Sequence, residues 1–251
     1  MPPPANPLLS VIVPTLNEEA QIAAHLTAAF QGRPHEVIVC DGQSTDRTQE
    51  IARSLGARVI ATSLGRGCQL NAGAAAATGD HLLFVHADTA LPAGYPALIA
   101  NALSQPGVSA AAFSLAIDGL QPTLRFIERA VSWRSRVLQM PYGDQALGVT
   151  RAMFDRVGGY PEIPAMEDYE MSRRLRRMGR ITIVSESVRT SARRWEERGI
   201  WRATLFNQVC IAAHRLGVSP ERIAAWRARG AGIAKKPDAR SPSAVPHSSD
   251  A

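Results

Sequence analysis

Residues 9–55 read LSVIVPTLNEEAQIAAHLTAAFQGRPHEVIVCDGQSTDRTQEIARSL. The run Leu9 to Val13 is apolar and rich in β-branched residues, as a buried strand requires, and Glu19 to Phe30 has helical spacing. Glu36 to Cys40 and Thr45 to Leu55 then repeat the pair. Working outward, Arg58 to Ala61, Gly67 to Ala77, His81 to Val85 and Ala93 to Leu103 continue the alternation. Repeated strand and helix units predict an α/β domain with a mostly parallel central sheet flanked by helices.

The second half is less regular. It suggests a strand at Val108 to Ile117, a helix from Thr123 to about Leu138, a loop at Pro141 to Gln145 and a short strand at Ala146 to Val149. A helix near Ala152 to Val157, the Gly158-Gly159 break, a helix from Glu167 to Met178 and a strand at Ile181 to Ser185 follow. No internal repeat and no second core is visible, so one domain is expected over residues 8–228, with C-terminal helices. The halves divide near residues 8–105 and 106–228. Proline-rich residues 1–7 and the Ala, Lys, Pro and Ser of residues 229–251 read as disordered tails.

Length and composition narrow the classes. The 251 residues are 45% hydrophobic and 20% charged, which fits a globular chain and excludes disorder throughout. A net charge of +6 favours anionic partners such as nucleotide phosphates, acidic lipid surfaces or nucleic acid without choosing among them. The motifs below point to a nucleotide, and nucleic acid is not among the expected partners. Cys40, Cys68 and Cys210 lack the paired spacing of a zinc site or disulfide framework, which reads as reduced thiols in a cytoplasmic compartment. The start lacks the features of a signal peptide, and no stretch approaches the roughly 18 apolar residues of a membrane span. A soluble or peripherally attached protein is expected.

In parallel sheets the ligand sits beyond the carboxyl ends of the strands, so the residues after each apolar run are where chemistry belongs. After the first strand come Pro14-Thr15-Leu16-Asn17-Glu18, after the second Asp41-Gly42-Gln43-Ser44-Thr45-Asp46, and after the fourth His86-Ala87-Asp88. Ser44 or Thr45 suits a helix N-cap, and Asp46 the helix dipole. Gly65-Arg66-Gly67 opens a helix of small residues suited to close approach to the sheet. That packing does not explain Asn71 or Arg66, and an arginine at a helix entrance suits phosphate oxygens. Asp88, with His86 as a second candidate ligand, suits Mg2+ or Mn2+ bridging a diphosphate. Glu167-Asp168 begins a helix, where the acids either complement its dipole or supply a general base.

Taken in order across residues 8 to 200, these motifs resemble glycosyltransferase family 2. The resemblance implies a Rossmann-like GT-A domain, a nucleoside-diphosphate-sugar donor, a hydroxyl acceptor, a divalent metal and inversion at the sugar. It implies that Pro14, Thr15 and Glu18 line the nucleoside pocket, that Asp41 reads the base, and that Asp46 and Arg66 lie near the nucleotide. Asp88 matches the metal-binding carboxylate of the Asp-x-Asp motif, with His86 in place of its first Asp, and Asp168 matches the catalytic base beside Glu167. Gly158-Gly159 resembles the glycine pair bordering the acceptor, and Arg194-Trp195 the end of a further motif.

Ser191 stands where that motif would have Gln, which speaks against processive synthesis. A subgroup pairing His-Ala-Asp with Gly-Asp-Gln is similar through Gly143-Asp144-Gln145, where either Asp144 and Gln145 face the acceptor or Gly143-Asp144 makes a tight turn. A lipid acceptor fits this class. The segment from Ile200 to Ala212 has helical spacing, which suits packing on the domain first and an anionic lipid surface second. The alternatives are a nucleotidyltransferase and a catalytically idle nucleotide- or lipid-binding module on the same scaffold.

Overall fold

The structure is a computed structural model that describes residues 7–191 and 200–230. The expected tails fall almost entirely outside the described residues. The chain runs β1 (Leu9–Thr15), α1 (Ile22–Gln31), β2 (Glu36–Asp41), α2 (Thr48–Ser54), β3 (Arg58–Ala61), α3 (Arg66–Ala76) and β4 (His81–Phe84). Next come β5 (Thr89–Ala90), α4 (Tyr95–Leu103), β6 (Val108–Asp118), α5 (Pro122–Val137), a 3-10 turn at Gly143–Gln145, β7 (Leu147–Thr150) and α6 (Arg151–Arg156). The remainder is α7 (Glu167–Met178), β8 (Arg180–Ser191), α8 (Ile200–Arg215) and α9 (Pro220–Gly230).

All eight strands join one sheet in the order β3-β2-β1-β4-β7-β6-β8-β5. The β1–β2, β1–β4, β2–β3 and β6–β8 pairings are parallel, as the alternation of elements predicts. β7 departs from it by running antiparallel between β4 and β6, and β5 pairs antiparallel with β8. The strand order reverses between β1 and β4, and a crevice at such a switch point is where parallel sheets hold ligands.

Alternation along the strands divides the core between two faces. Val11 and Val13 of β1, Val37 and Val39 of β2 and Leu83 of β4 pack with α1, α2, α4 and α5. Ile12, Ile38, Cys40, Leu82 and Phe84 pack with α3, α6 and α7 on the other side. Burial on both faces explains why these strands read as continuous apolar runs. The expected close approach of α3 is seen at Gly73, where a methyl group would collide with Ile12 and Cys40 Sγ. Arg151 closes the far end of α3 by donating to the carbonyls of Ala74, Ala77 and Gly79. Those carbonyls would otherwise lack helical partners.

A smaller cluster joins α8 and α9 to the body, with Cys210, Ile211 and Ile223 packed on Ala165, Met166 and Tyr142. Packing, the first expectation for residues 200–212, therefore accounts for the inner side of α8. No helix among the described residues is long and apolar enough to cross a membrane.

Candidate active site

The loops that leave β1 and β2 are locked together. Asn17 N–H donates to Ser44 Oγ at 2.9 Å, Thr45 N–H donates to Asn17 Oδ1 at 2.9 Å, and Arg47 N–H donates to Glu19 Oε2 at 2.9 Å. Asp46, rather than Ser44 or Thr45, completes the start of α2. It accepts from Thr48 N–H at 3.0 Å and Thr48 Oγ1 at 2.5 Å. The Ser44 hydroxyl is instead spent on Asp41 Oδ1 at 2.5 Å.

Asp41 is fully buried at the end of β2 and also accepts from Ser44 N–H at 2.9 Å, Gln49 Nε2 at 2.7 Å and Thr15 Oγ1 at 3.3 Å. Four internal donors fill a carboxylate's acceptor sites, so in this conformation Asp41 organises the loop and has no site left for a base N–H. Pro14 and Thr15 are buried at the end of β1, and Glu18 is half-buried, its N–H donating to Thr48 Oγ1 at 2.8 Å. Gln69 of α3, in the same motif as Arg66 and Asn71, has no role of its own in the sequence reading. Its amide bridges the carbonyls of Thr15 and Cys40, each at 2.8 Å, and so pins the ends of β1 and β2 together.

Beside these loops lies a charged cluster drawn from four separate segments. Arg66 Nη1, at the start of α3, lies 3.2 Å from His86 Nε2, 3.6 Å from Asp168 Oδ2 and 3.7 Å from Glu167 Oε1. His86 Nε2 is 3.7 Å from the same Asp168 oxygen. Asp88, two residues beyond His86, is half-buried on the same rim. Gly143 completes the cluster from the 3-10 turn, where a side chain would collide with both His86 Nε2 and Asp168 Oδ2. Glycine is required there by proximity rather than by a turn, a reason that residue type alone did not reveal.

The two acids are driven in opposite directions. Burial pushes Glu167 above the usual carboxylate range and the Asp168 charge adds to it, with Arg66 only partly opposing. Burial would raise Asp168 too, but contact with His86, the Arg66 guanidinium and the Gly143 N–H outweigh it and hold this carboxyl below its ordinary value. Their surroundings thus separate the proton affinities of two adjacent acids, leaving Asp168 the more readily ionised. Met166, just before them, is held at φ 73°, a left-handed conformation that a methionine adopts at a cost.

On the far side of the crevice, Asn71 accounts for itself. Its amide accepts from Tyr160 N–H and donates to Tyr160 O, both at 2.9 Å, clamping the loop that follows Gly158-Gly159 onto α3. Gly158 and Gly159 have φ of 76° and 66°, and Arg174 Nη1 donates to Gly159 O at 3.0 Å. Gly67 is equally constrained, since a methyl group there would strike Pro161 O.

Gln145 departs from the expected acceptor position. It is fully buried, with its oxygen accepting from Ser135 Oγ at 2.6 Å and Arg134 Nη2 at 3.1 Å and its nitrogen donating to Phe113 O at 2.9 Å. Its work is to tie α5 to β6. Asp144 is different, because its Oδ1 is buried without a hydrogen-bond partner. Arg194 and Trp195 lie outside the described residues.

Among the described residues no group of three His, Cys, Asp or Glu could hold a metal ion by itself. The residues do fit an ion that brings ligands with it, since Mg2+ and Mn2+ at diphosphates take one or two protein carboxylates and otherwise phosphate and water. Asp88 fits that need. His86 does so less well, because the nitrogen facing the cluster is already engaged by Arg66.

The chain is 38% identical over 96 residues to the PGL/p-HBAD biosynthesis glycosyltransferase of Mycobacterium bovis, a stretch covering 35% of this chain and 38% of that protein. It thus spans about four-tenths of the length of this curated relative.

A mannosyltransferase from Pyrobaculum calidifontis, solved with GDP-Man and Mn2+, has the same fold with a TM-score of 0.61 and 20% identity, covering 90% of this chain and 70% of that one. Glucosyl-3-phosphoglycerate synthase from Mycobacterium tuberculosis, solved with Mn2+, UDP and glucosyl-3-phosphoglycerate, superposes with a TM-score of 0.57 at 21% identity, covering 92% and 82%. These two likenesses establish the GT-A architecture. The sequence profile described as glycosyl transferase family 2 matches residues 10–155, more than half of the chain and the stretch that builds β1 through α6, so the protein is a member of glycosyl transferase family 2.

Proposed function

We propose that the protein transfers a sugar from a nucleoside-diphosphate donor to a hydroxyl acceptor with inversion, one acceptor at a time. The observation that carries this reading is the meeting of Asp168 with Arg66 at 3.6 Å and His86 at 3.7 Å on the rim where β1, β2 and β4 end. Residues 8–105 would hold the nucleotide and residues 106–228 the acceptor. The GDP-Man of one structural neighbour, the UDP of the other and the Mn2+ of both support the donor class, and the His-Ala-Asp and Gly-Asp-Gln pair supports the proposed subgroup.

Asp168, kept ionised, takes the acceptor proton as the hydroxyl oxygen bonds to the anomeric carbon on the face opposite the diphosphate. The bond from that carbon to the diphosphate oxygen breaks, and its electron pair leaves with the diphosphate. Arg66 faces the growing charge there and would trade part of its contact with the two acids for phosphate oxygen. Asp88 would hold Mg2+ or Mn2+, which when bound neutralises charge on the diphosphate.

The remaining roles follow from position. His86 and Gly143 position Asp168. The loops carrying Pro14, Thr15, Glu18 and Asp46 form the nucleoside pocket, and Asp41 contacts the base only if it releases one of its internal donors. Gly158, Gly159, Glu167 and the unpaired oxygen of Asp144 border the acceptor. Burial of Cys40 pushes its thiol to about 12, and all three cysteines are free, consistent with the proposed cytoplasmic compartment.

The test is a panel of nucleotide sugars with mass detection of products, run with and without Mn2+ or Mg2+. Metal-dependent release of nucleoside diphosphate with sugar transfer or slow hydrolysis is expected. Pyrophosphate release from a nucleoside triphosphate and a sugar phosphate would instead identify a nucleotidyltransferase, and inertness toward every donor would identify a binding module.

A further inference from the structure

Helix α5 is amphipathic in an unusual sense. Its inner face buries Leu124, Ile127 and Ser135 against the sheet. Its outer face carries Phe126, Ala130, Trp133 and Val137, which at spacings of four, three and four residues form one straight stripe. Phe126 is 58% exposed, Trp133 60% and Val137 59%, and Leu120 and Leu138 at the two ends of the helix are exposed as well. A soluble helix ordinarily turns polar residues to this side.

The charges beside the stripe have one sign. Arg125, Arg129 and Arg136 fall along one flank at helical spacing, and all three are exposed. The single acid of the helix, Glu128, lies toward the body, where it accepts from Ile117 N–H at 2.6 Å and pairs with Arg125 at 3.0 Å. An aromatic and aliphatic stripe bordered by arginines complements the boundary between the acyl chains and headgroups of an anionic bilayer.

The position of the helix gives this surface a use. On its inner side, Arg134 lies over the Tyr142 ring at 3.8 Å and Ser135 holds Gln145, so α5 is anchored to the turn whose Gly143 touches Asp168. The outer stripe and the turn that borders Asp168 are therefore carried by one helix and the loop anchored to it.

We infer that the outer face of α5 seats the protein on anionic membrane, and that its acceptor is the hydroxyl of an amphiphile presented at that interface. The identity of the acceptor rests on the transferase reading. Adsorption of the protein does not, because it needs neither donor nor turnover.

The experiment uses the full chain, vesicles of phosphatidylcholine with and without phosphatidylglycerol, low and high salt, and no donor. Sedimentation with the anionic vesicles at low salt, weakened by added salt, is expected, with Trp133 emission quenched by brominated acyl chains. Trp133→Ser and the double variant Arg129→Glu/Arg136→Glu each lower the partition coefficient roughly tenfold. Both keep the wild-type circular dichroism spectrum and a melting midpoint close to it, because these side chains are exposed and Arg136 gives up only surface bonds to Ser114 and Ser132.

Three outcomes overturn the inference. Wild-type protein that stays in the supernatant at low salt would do so. So would binding that ignores both variants but is lost in Leu205→Glu, which would move the contact to the exposed side of α8. The third is self-association abolished by Trp133→Ser without vesicle binding, which would make a second copy the occupant. Acceptor identity is then read separately, as transfer to an amphiphilic alcohol in wild type that falls in Trp133→Ser while donor binding is unchanged.

Discussion

Asp168 and Glu167 share one helix turn, yet their surroundings pull their proton affinities apart. Because Asp168 is held below the usual carboxylate range, its base form persists through neutral and weakly acidic pH and is lost only as pH falls through that depressed value. Removing His86 takes away the leading influence opposing burial. In His86→Ala the acid limb of the kcat/KM profile should therefore move to higher pH, and an unmoved limb would remove His86 as a positioning residue. Gly143→Ala forces Asp168 or His86 aside, and a displacement on the order of 1 Å near the reacting atoms costs about 10²-fold in kcat. Calorimetry should show donor binding intact in that variant. At this scale the meeting of Arg66, His86 and Asp168 could be anticipated from their positions at strand and helix ends on the rim where the parallel strands finish, although an acid there also suits the dipole of α7. The role of Gln145 could not, because a polar residue in a polar motif gives no sign that its partners are Ser135 and Phe113 O, far off in sequence.

Two clamps hold the elements that frame the crevice, Gln69 across β1 and β2 and Asn71 across α3 and the loop after Gly159. Asn71→Ala strands the buried N–H and carbonyl of Tyr160. It should cost about 1–3 kcal/mol in urea unfolding and raise the acceptor KM more than the donor KM. Equal effects on both would detach the clamp from the acceptor side. The alternation of strand and helix through α4 was readable because β1, β2 and β4 are buried on both faces and each helix on one. The direction of β7 was not, since a four-residue apolar run looks the same in either orientation. β5 has two residues, too few for any pattern, and β8 runs from Arg180 to Ser191, beyond the five residues expected. Its pairing with β6 skips from Val184 to Ser187, and that irregularity breaks the period-two signal past Val184. The final helix, α9, packs only Ile223, Ala224 and Trp226 on the body, a short apolar run between arginines that marked C-terminal helices without fixing their bounds.

Across the whole molecule, the parallel strands point their carboxyl ends to one rim, and α7 brings Asp168 to the same place from the second half of the chain. Asp88→Ala should lower transfer and flatten its dependence on added Mn2+, and an unchanged metal titration would take Asp88 out of the diphosphate site. That carboxylates from distant segments share one rim could be anticipated, because the ends of parallel strands converge. The contacts that tune them could not, since they depend on how β7 and the 3-10 turn before it cross the sheet. The most direct measurement pairs donor binding with turnover in Asp168→Asn. The account expects nucleotide-sugar affinity like that of wild type and transfer reduced about 10² to 10⁴-fold. Full transfer by this variant would contradict it.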